Sequence, residues 1–342
     1  MSDQVIFNQK NVLVVGGAGF IGSHLCDELV KENKVICLDN FSTGTERNID
    51  HLLAEPNFVF IRHDMSKPIK LEELKDLQKF KVQFQGIQEI YNLACPTSPK
   101  NFLENRVATL SANSLAVKNV LNMAVKNQAK LVHFSSGRVY GERTPENESH
   151  KVKEDEVTKL DFLSKRSCLD EGKRFSEAMV KNYRDVYGLD AKIIRPFRIF
   201  GPRMKLNDKR LIPDFINNAL DNKDLVITGG DDFSTSLCYI RDLIDAVMKM
   251  VDSDSQGPLN IGSDVDVPIR KVAEKIIELL DSESSITYGD QDDLITPFRL
   301  PNISKANEEL GWMPVATLDK SLEKTIDDLR ATKGLRTLDQ EL

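Results

Sequence analysis

An apolar run, NVLVV, leads into GGAGFIG and then into the helical pattern FIGSHLCDELVKE, all before residue 33. No other feature limits the possible folds as much as this order of strand, glycine turn and helix. Gly16 lets the chain reverse, Gly19 lets backbone approach a pyrophosphate, and Gly22 lets the helix pack close to the strand. The helix begins at Phe20 and Ile21, and its first N–H groups, unpaired within the helix, present a partial positive charge to phosphates. The next strand pattern, KVICLDN, ends in Asp39 and Asn40. A carboxylate at that distance accepts hydrogen bonds from a ribose diol and repels a 2′-phosphate, so the expected cofactor is NAD rather than NADP. Phe41, Thr43 and Gly44 follow directly and are expected to border the same site.

The alternation continues. NFVFIRHD, EIYNLAC, KLVHFSS and AKIIRPFRIFGP read as strands, separated by helical stretches such as ATLSANSLAVKNVLNMAVKNQ. Strands alternating with helices mean βαβ units and a parallel sheet, with ligands bound past the carboxyl ends of the strands. The expected fold is α/β: a Rossmann-type doubly wound parallel sheet with a smaller, mixed α/β substrate-binding domain. Residues 1–178, with returning segments near 190–203 and 234–254, are assigned to the dinucleotide-binding domain. Residues 204–233 and 255–320 are assigned to the substrate domain, and 331–342 to a polar tail. At the third strand end Asp64 and Met65 are placed near an adenine. At the fourth, Leu93, Ala94 and Pro96 are placed where a cofactor passes. GERTPENESHKVKEDE reads as a polar surface loop.

Composition removes several function classes. Net charge is −7, with both signs mixed along the chain. That argues against a nucleic-acid or anionic-membrane surface. No apolar run approaches the roughly 20 residues of a membrane helix, and the N-terminus does not read as a signal peptide. The five cysteines are scattered and never form a CxxC pair, and the five histidines show no ligand spacing. The expectation is a cytoplasmic protein without a metal site.

With these motifs in order (GGAGFIGSHL, LDNFSTG, HDM, YNLACPTSP, VYG, RSCLDEGKR, FGPRM and NIG), the chain resembles the extended short-chain dehydrogenases/reductases that modify nucleotide sugars. NLACPTSP, RSCLDEGKR and GPRM most resemble UDP-glucuronate decarboxylases, while RLIPDFINNAL fits nucleotide-sugar 4,6-dehydratases about as well. The resemblance implies bound NAD, a nucleoside-diphosphate sugar as partner, and a homodimer built on two long helices. It also implies a reaction that oxidises the sugar at C4, loses a carboxylate or water, and returns the hydride. In that chemistry a tyrosine removes the hydroxyl proton, assisted by a lysine four residues later.

Lys173 matches that lysine, and Ser136 matches the Ser/Thr that hydrogen-bonds the reacting hydroxyl. The tyrosine position holds Leu169, which has no ionisable proton. Where the resemblance implies Thr-Ser-Glu, this chain has Ser136-Gly137-Arg138, a permanent cation in place of a carboxylate. The family's phosphate-binding arginine aligns with Thr235, and its asparagine in the strand before GPRM is matched by Arg198. Lys100, Arg138, Arg198 and Arg210 are the expected substrate-binding residues. Tyr140 is weighed as a substitute acid. Two functions follow from the resemblance: a decarboxylase-like enzyme with an atypical site, or a catalytically impaired member that binds NAD and a nucleotide sugar as a sensor or partner subunit.

Overall fold

The computed structural model describes residues 9–228, 230, 233–290 and 298–341. Seven strands form one parallel sheet: β1 (Asn11–Val15), β2 (Lys34–Asp39), β3 (Phe58–Arg62), β4 (Glu89–Asn92), β5 (Lys130–Phe134), β6 (Ala191–Pro196) and β7 (Leu259–Ile261). Their order is β7-β6-β5-β4-β1-β2-β3. The chain starts in the middle, builds to one edge, then crosses over and builds to the other. The crossover falls between β1 and β4, and a crevice opens there at the carboxyl ends of the strands.

The alternation of the strands assigns their faces. Val12 and Val14 point into one apolar cluster, while Leu13 and Val15 point into the other. All five residues of β1 are buried, which is the pattern of a strand covered on both sides. Fully burying one such side chain is worth roughly 1.5–3 kcal/mol. Helix α1 (Phe20–Leu29) covers the first face through Leu25, Cys26 and Leu29. Two helices, α2 (Arg106–Asn113) and α3 (Leu115–Asn127), precede β5, and α3 covers the other face through Val117, Val120, Leu121 and Ala124. Helix α4 (Ser167–Tyr187) runs beside α2. The first cluster continues without a break into α5 (Leu211–Leu220), α6 (Ile240–Asp252), α7 (Ile269–Leu280) and Trp312.

The structure departs from the sequence patterns, or adds to them, in four places. The long helix expected over ATLSANSLAVKNVLNMAVKNQ breaks at Ser114, whose hydroxyl donates to the Leu110 carbonyl at 2.7 Å. Such a bond back to the preceding turn competes with the helix ladder. The seventh strand is only three residues long and too short to show a periodicity. The polar stretch 141–156 lies mostly at the surface, as expected, and is also tied down: Lys151–Val152 pairs with Leu300–Pro301, and Arg143 grips Asp266 with two hydrogen bonds of 2.6 and 3.0 Å. Residues 331–341 continue the helix Leu318–Glu341. No helix among the described residues is long and apolar enough to cross a membrane.

Candidate active site and cofactor cleft

A cleft of about 810 Å³ runs along the carboxyl ends of the strands. At one end it is walled mainly by backbone. Gly16, Gly19, Phe20, Ile21, Gly22, Asp39, Asn40, Thr43, Gly44, Asp64, Met65, Leu93, Ala94 and Pro96 all line it. Gly16 has φ +83, and a side chain there would meet the backbone nitrogen of Ala94 at 2.9 Å. A side chain on Gly22 would lie 2.2 Å from the Gly16 carbonyl oxygen. Both positions therefore exclude a Cβ, and helix α1 can point its N-terminus directly into the space.

Asp39 is buried at the end of β2. Its carboxylate accepts the N–H of Ala18 at 3.0 Å and that of Phe41 at 2.8 Å. Burial pushes its pKa up, and the bonds from Phe41 and Ala18 oppose this. An ionised carboxylate offers about four acceptor sites, so capacity remains for a diol. Phe41 itself does not line the cleft. It takes φ +58 and stacks on Phe60 with ring centroids 4.8 Å apart.

The other end is walled by cationic side chains. Helix α4 and its N-cap residue Arg166 direct Arg166, Leu169 and Lys173 at the cleft, positions i, i+3 and i+7 along one face. Lys173 is buried, and its ammonium donates to the Phe134 carbonyl at 2.7 Å at the end of β5. It is therefore not a solvated lysine. Directly behind it, burial and then the Lys173 charge hold the pKa of His133 well below its ordinary value. Ser136 caps the turn after β5, its Oγ accepting the Arg138 N–H at 3.2 Å. Arg138 and Arg198 both line the cleft and lie over the same ring, Phe298, at 3.8 and 4.8 Å from its centroid. Arg210 donates to Thr97 Oγ1 at 2.7 Å and pairs with Asp208 at 3.4 Å.

Leu169 is buried in a small cluster with Phe102 and Cys168. No tyrosine among the described residues lines the cleft. The Cys168 thiol faces the Phe102 carbonyl, and burial pushes its pKa up. Asp170 pairs with Arg166 at 3.4 Å and is not part of the wall. Tyr140 lies outside the cleft, donates to Asn260 Oδ1 at 2.8 Å, and has its pKa raised by burial. It is a packing residue and no substitute acid. Lys100 is exposed and stays outside the wall, as does Thr235, which is fully buried in a two-residue pairing with Val267–Pro268.

The sequence patterns left out Arg166, Phe298 and Asp208. Arg166 had a legible signal, three residues before Leu169 on the same helix face. Phe298 had none, since only the folded chain brings it to Arg138. Asp208 accepts bonds from Ser98 at 2.6 Å and from Asn101 at 2.9 Å, and so ties the segment before α5 to the segment after β4. Among the described residues no group of three or more His, Cys, Asp or Glu could hold a metal ion.

Residues 12–262 match the NAD dependent epimerase/dehydratase family. The chain belongs to that family. It is 34% identical over 337 residues to UDP-glucuronic acid decarboxylase 6 of Arabidopsis thaliana, covering 96% of this chain and 92% of that protein. Among solved structures it resembles the epimerase Mth375 of Methanothermobacter thermautotrophicus, with TM-score 0.82, 25% identity, and 96% and 94% of the two chains covered. It also resembles UDP-glucuronic acid 4-epimerase of Bacillus cereus, solved with UDP-glucuronic acid and NAD, with TM-score 0.79, 25% identity, and 94% and 99% covered. NAD is the cofactor of this family member. The cradle fits it: two glycines where a Cβ would clash, a helix N-terminus free of acidic residues, and a carboxylate, Asp39, at the end of β2.

Proposed function

We propose that the cleft binds NAD together with a nucleoside-diphosphate sugar, and that the oxidation at C4 is nearly switched off. The chain is then a binding member of its family, a sensor or partner subunit. Bound NAD would supply a hydride acceptor for the sugar's C4. Asp39 and the α1 N-terminus would bind its ribose and phosphates, Lys173 would hold the second ribose, and Ser136 would hydrogen-bond the sugar hydroxyl. The observation that carries the reading is Leu169, packed on Phe102 and Cys168 where the proton acceptor would stand. Without it the C4 hydroxyl has no base, and general acid–base catalysis is typically worth about 10²–10⁴-fold.

A second reading is a slow enzyme of the decarboxylase or dehydratase type, favoured by the retained pair Ser136 and Lys173. One experiment separates the two. NAD-saturated protein is mixed with UDP-glucuronate, and reduced-nicotinamide absorbance and product mass are followed over long incubations. The first reading expects saturable binding with neither signal. Appearance of reduced nicotinamide or of a UDP-pentose would overturn it in favour of the second.

We also propose a cytoplasmic homodimer. Val107 and Leu110 on α2, Leu115 at the start of α3, and Phe175 and Tyr187 on α4 are large apolar side chains left exposed. A monomer mass by light scattering at micromolar concentration would remove the dimer.

A further inference from the structure

The cations at the arginine end differ in their place along a bound ligand. Arg210 and Asp208 belong to the segment entering α5. Arg138 instead belongs to the turn that carries Ser136, two residues on, so with Ser136 on the sugar hydroxyl, as proposed above, Arg138 would stand toward the reacting carbon rather than toward a diphosphate. It is buried, braced by its contact with the Phe298 ring, and shares that ring with Arg198. Arg198 is itself held at φ +33, a backbone conformation that L side chains rarely adopt and that clusters at functional sites. Arg166 joins them from α4. Burial, and then the Arg166 charge, pull the Arg138 pKa well down, and burial with Arg166 and Arg210 pulls Arg198 down to about 10. Asp170, paired with Arg166, and Glu142 offset part of this crowding at Arg138, and an anion bound among the cations relieves more of it.

Resting on the reading of the cleft given above, we infer that Arg138 is a specificity residue for a carboxylate carried on the sugar, so that the ligand is a nucleoside-diphosphate uronate that is bound and kept intact. A guanidinium matches a carboxylate with two parallel hydrogen bonds. The same pairing opposes decarboxylation. In that step the bond from the sugar carbon to the carboxyl breaks, its electron pair moves to the adjacent 4-keto group as an enolate, and neutral CO2 departs. The carboxylate must give up its negative charge, and an ion pair stabilises the charged state it has to leave. Replacing an acid by Arg138 therefore changes a site suited to losing the carboxylate into one suited to holding it.

The test is calorimetric titration of NAD-saturated protein with UDP-glucuronate, UDP-glucose and UDP. The wild-type chain is expected to prefer UDP-glucuronate over UDP-glucose by about 10–100-fold, the range of a charge-assisted hydrogen-bonded pair. Arg138→Gln is expected to bring that ratio close to one, and Arg138→Lys to recover part of it. The wild-type ratio needs no variant, so a poorly folding substitution does not remove the test. If UDP-glucose and UDP-glucuronate bind the wild type equally, the inference falls while the reading of the cleft stands. If Arg138→Gln leaves the ratio unchanged, Arg138 is not the specificity residue. If none of the three ligands binds, the reading of the cleft fails and takes the inference with it.

Discussion

The glycine end and the arginine end of the cleft are held in different ways. The glycine end is a matter of backbone: Gly16 and Gly22 exclude any Cβ, the α1 N-terminus points inward, and Asp39 is fixed by two main-chain N–H groups. Any loss there would disturb β1 and α1, which lie at the centre of the sheet. The arginine end is a matter of side-chain tips on a wall that packs either way. Leu169, at the position where the family resemblance implies a tyrosine, simply joins Phe102 and Cys168. Where geometry carries a function, the fold protects it. Where a functional group carries it, the fold is indifferent to its loss.

The strongest way to break this comparison is to put the functional groups back. Leu169→Tyr together with Arg138→Glu introduces the tyrosine and the carboxylate that the resemblance implies while leaving Lys173 on the Phe134 carbonyl. If the arginine end differs from its relatives only by these tips, reduced nicotinamide should form at least about 10²–10⁴-fold faster than in the wild type. Adding Lys173→Ala should remove most of the gain. No gain in the double variant, with NAD and UDP-glucuronate both bound, would mean that the wall itself has been rebuilt. Gly137 gives a reason to watch for that: a side chain there would press on the Phe197 ring at 2.7 Å, so the hydroxyl implied by the family pattern cannot be added without moving Phe197.

The glycine end is expected to fail by geometry. Gly16→Ala forces a side chain onto a backbone at φ +83 and against Ala94. Strain of this kind is of order 1–3 kcal/mol. NAD affinity should fall by up to about a hundredfold, with a lower melting temperature, both read by thermal shift with and without NAD. An unchanged NAD affinity would show that this end is not backbone-limited. A smaller effect comes from Asp39→Asn, which removes the charge and keeps an acceptor for only one of the Ala18 and Phe41 N–H groups, since these bond different carboxylate oxygens. The preference for NAD over NADP should shrink by about tenfold, the scale of one charge–charge interaction near a protein surface. An unaltered ratio in competition binding would mean that Asp39 does not face the 2′ position.

The difference between the ends also explains what the sequence could reveal. A strand, three spaced glycines and an aspartate are local, and spacing is enough to read them. The two faces of β1 follow from alternation alone. Leu169 was legible for the same reason, as a deviation at a fixed helical step from Lys173. The ring between Arg138 and Arg198 was not legible, because Phe298 lies a hundred or more residues from both and reaches them only through tertiary packing. Thr235 shows the converse: the family resemblance implies a ligand-binding position there, yet the fold buries it in a small sheet and it does not line the cleft.

The smallest effect concerns the support behind the arginine end. Asp214 lies in the first turn of α5, and burial, then the charge of Asp208, raises its pKa from 3.8 to about 6. The folded pKa is above the unfolded one, so the protonated form is favoured by folding. Its stabilising contribution is present below pH about 4 and is lost as pH rises through about 6. The full shift corresponds to about 3 kcal/mol as an upper bound. Asp214 is only partly buried, and screening by solvent reduces the expected gain from Asp214→Asn to about 1 kcal/mol at pH 8, vanishing near pH 4. Chemical denaturation at the two pH values measures it. Because Asp208 also ties this segment to Ser98 and Asn101, the gain should come with tighter closure of the arginine end and no change in NAD affinity. A stability difference equal at both pH values would show that the variant acts through packing and not through charge.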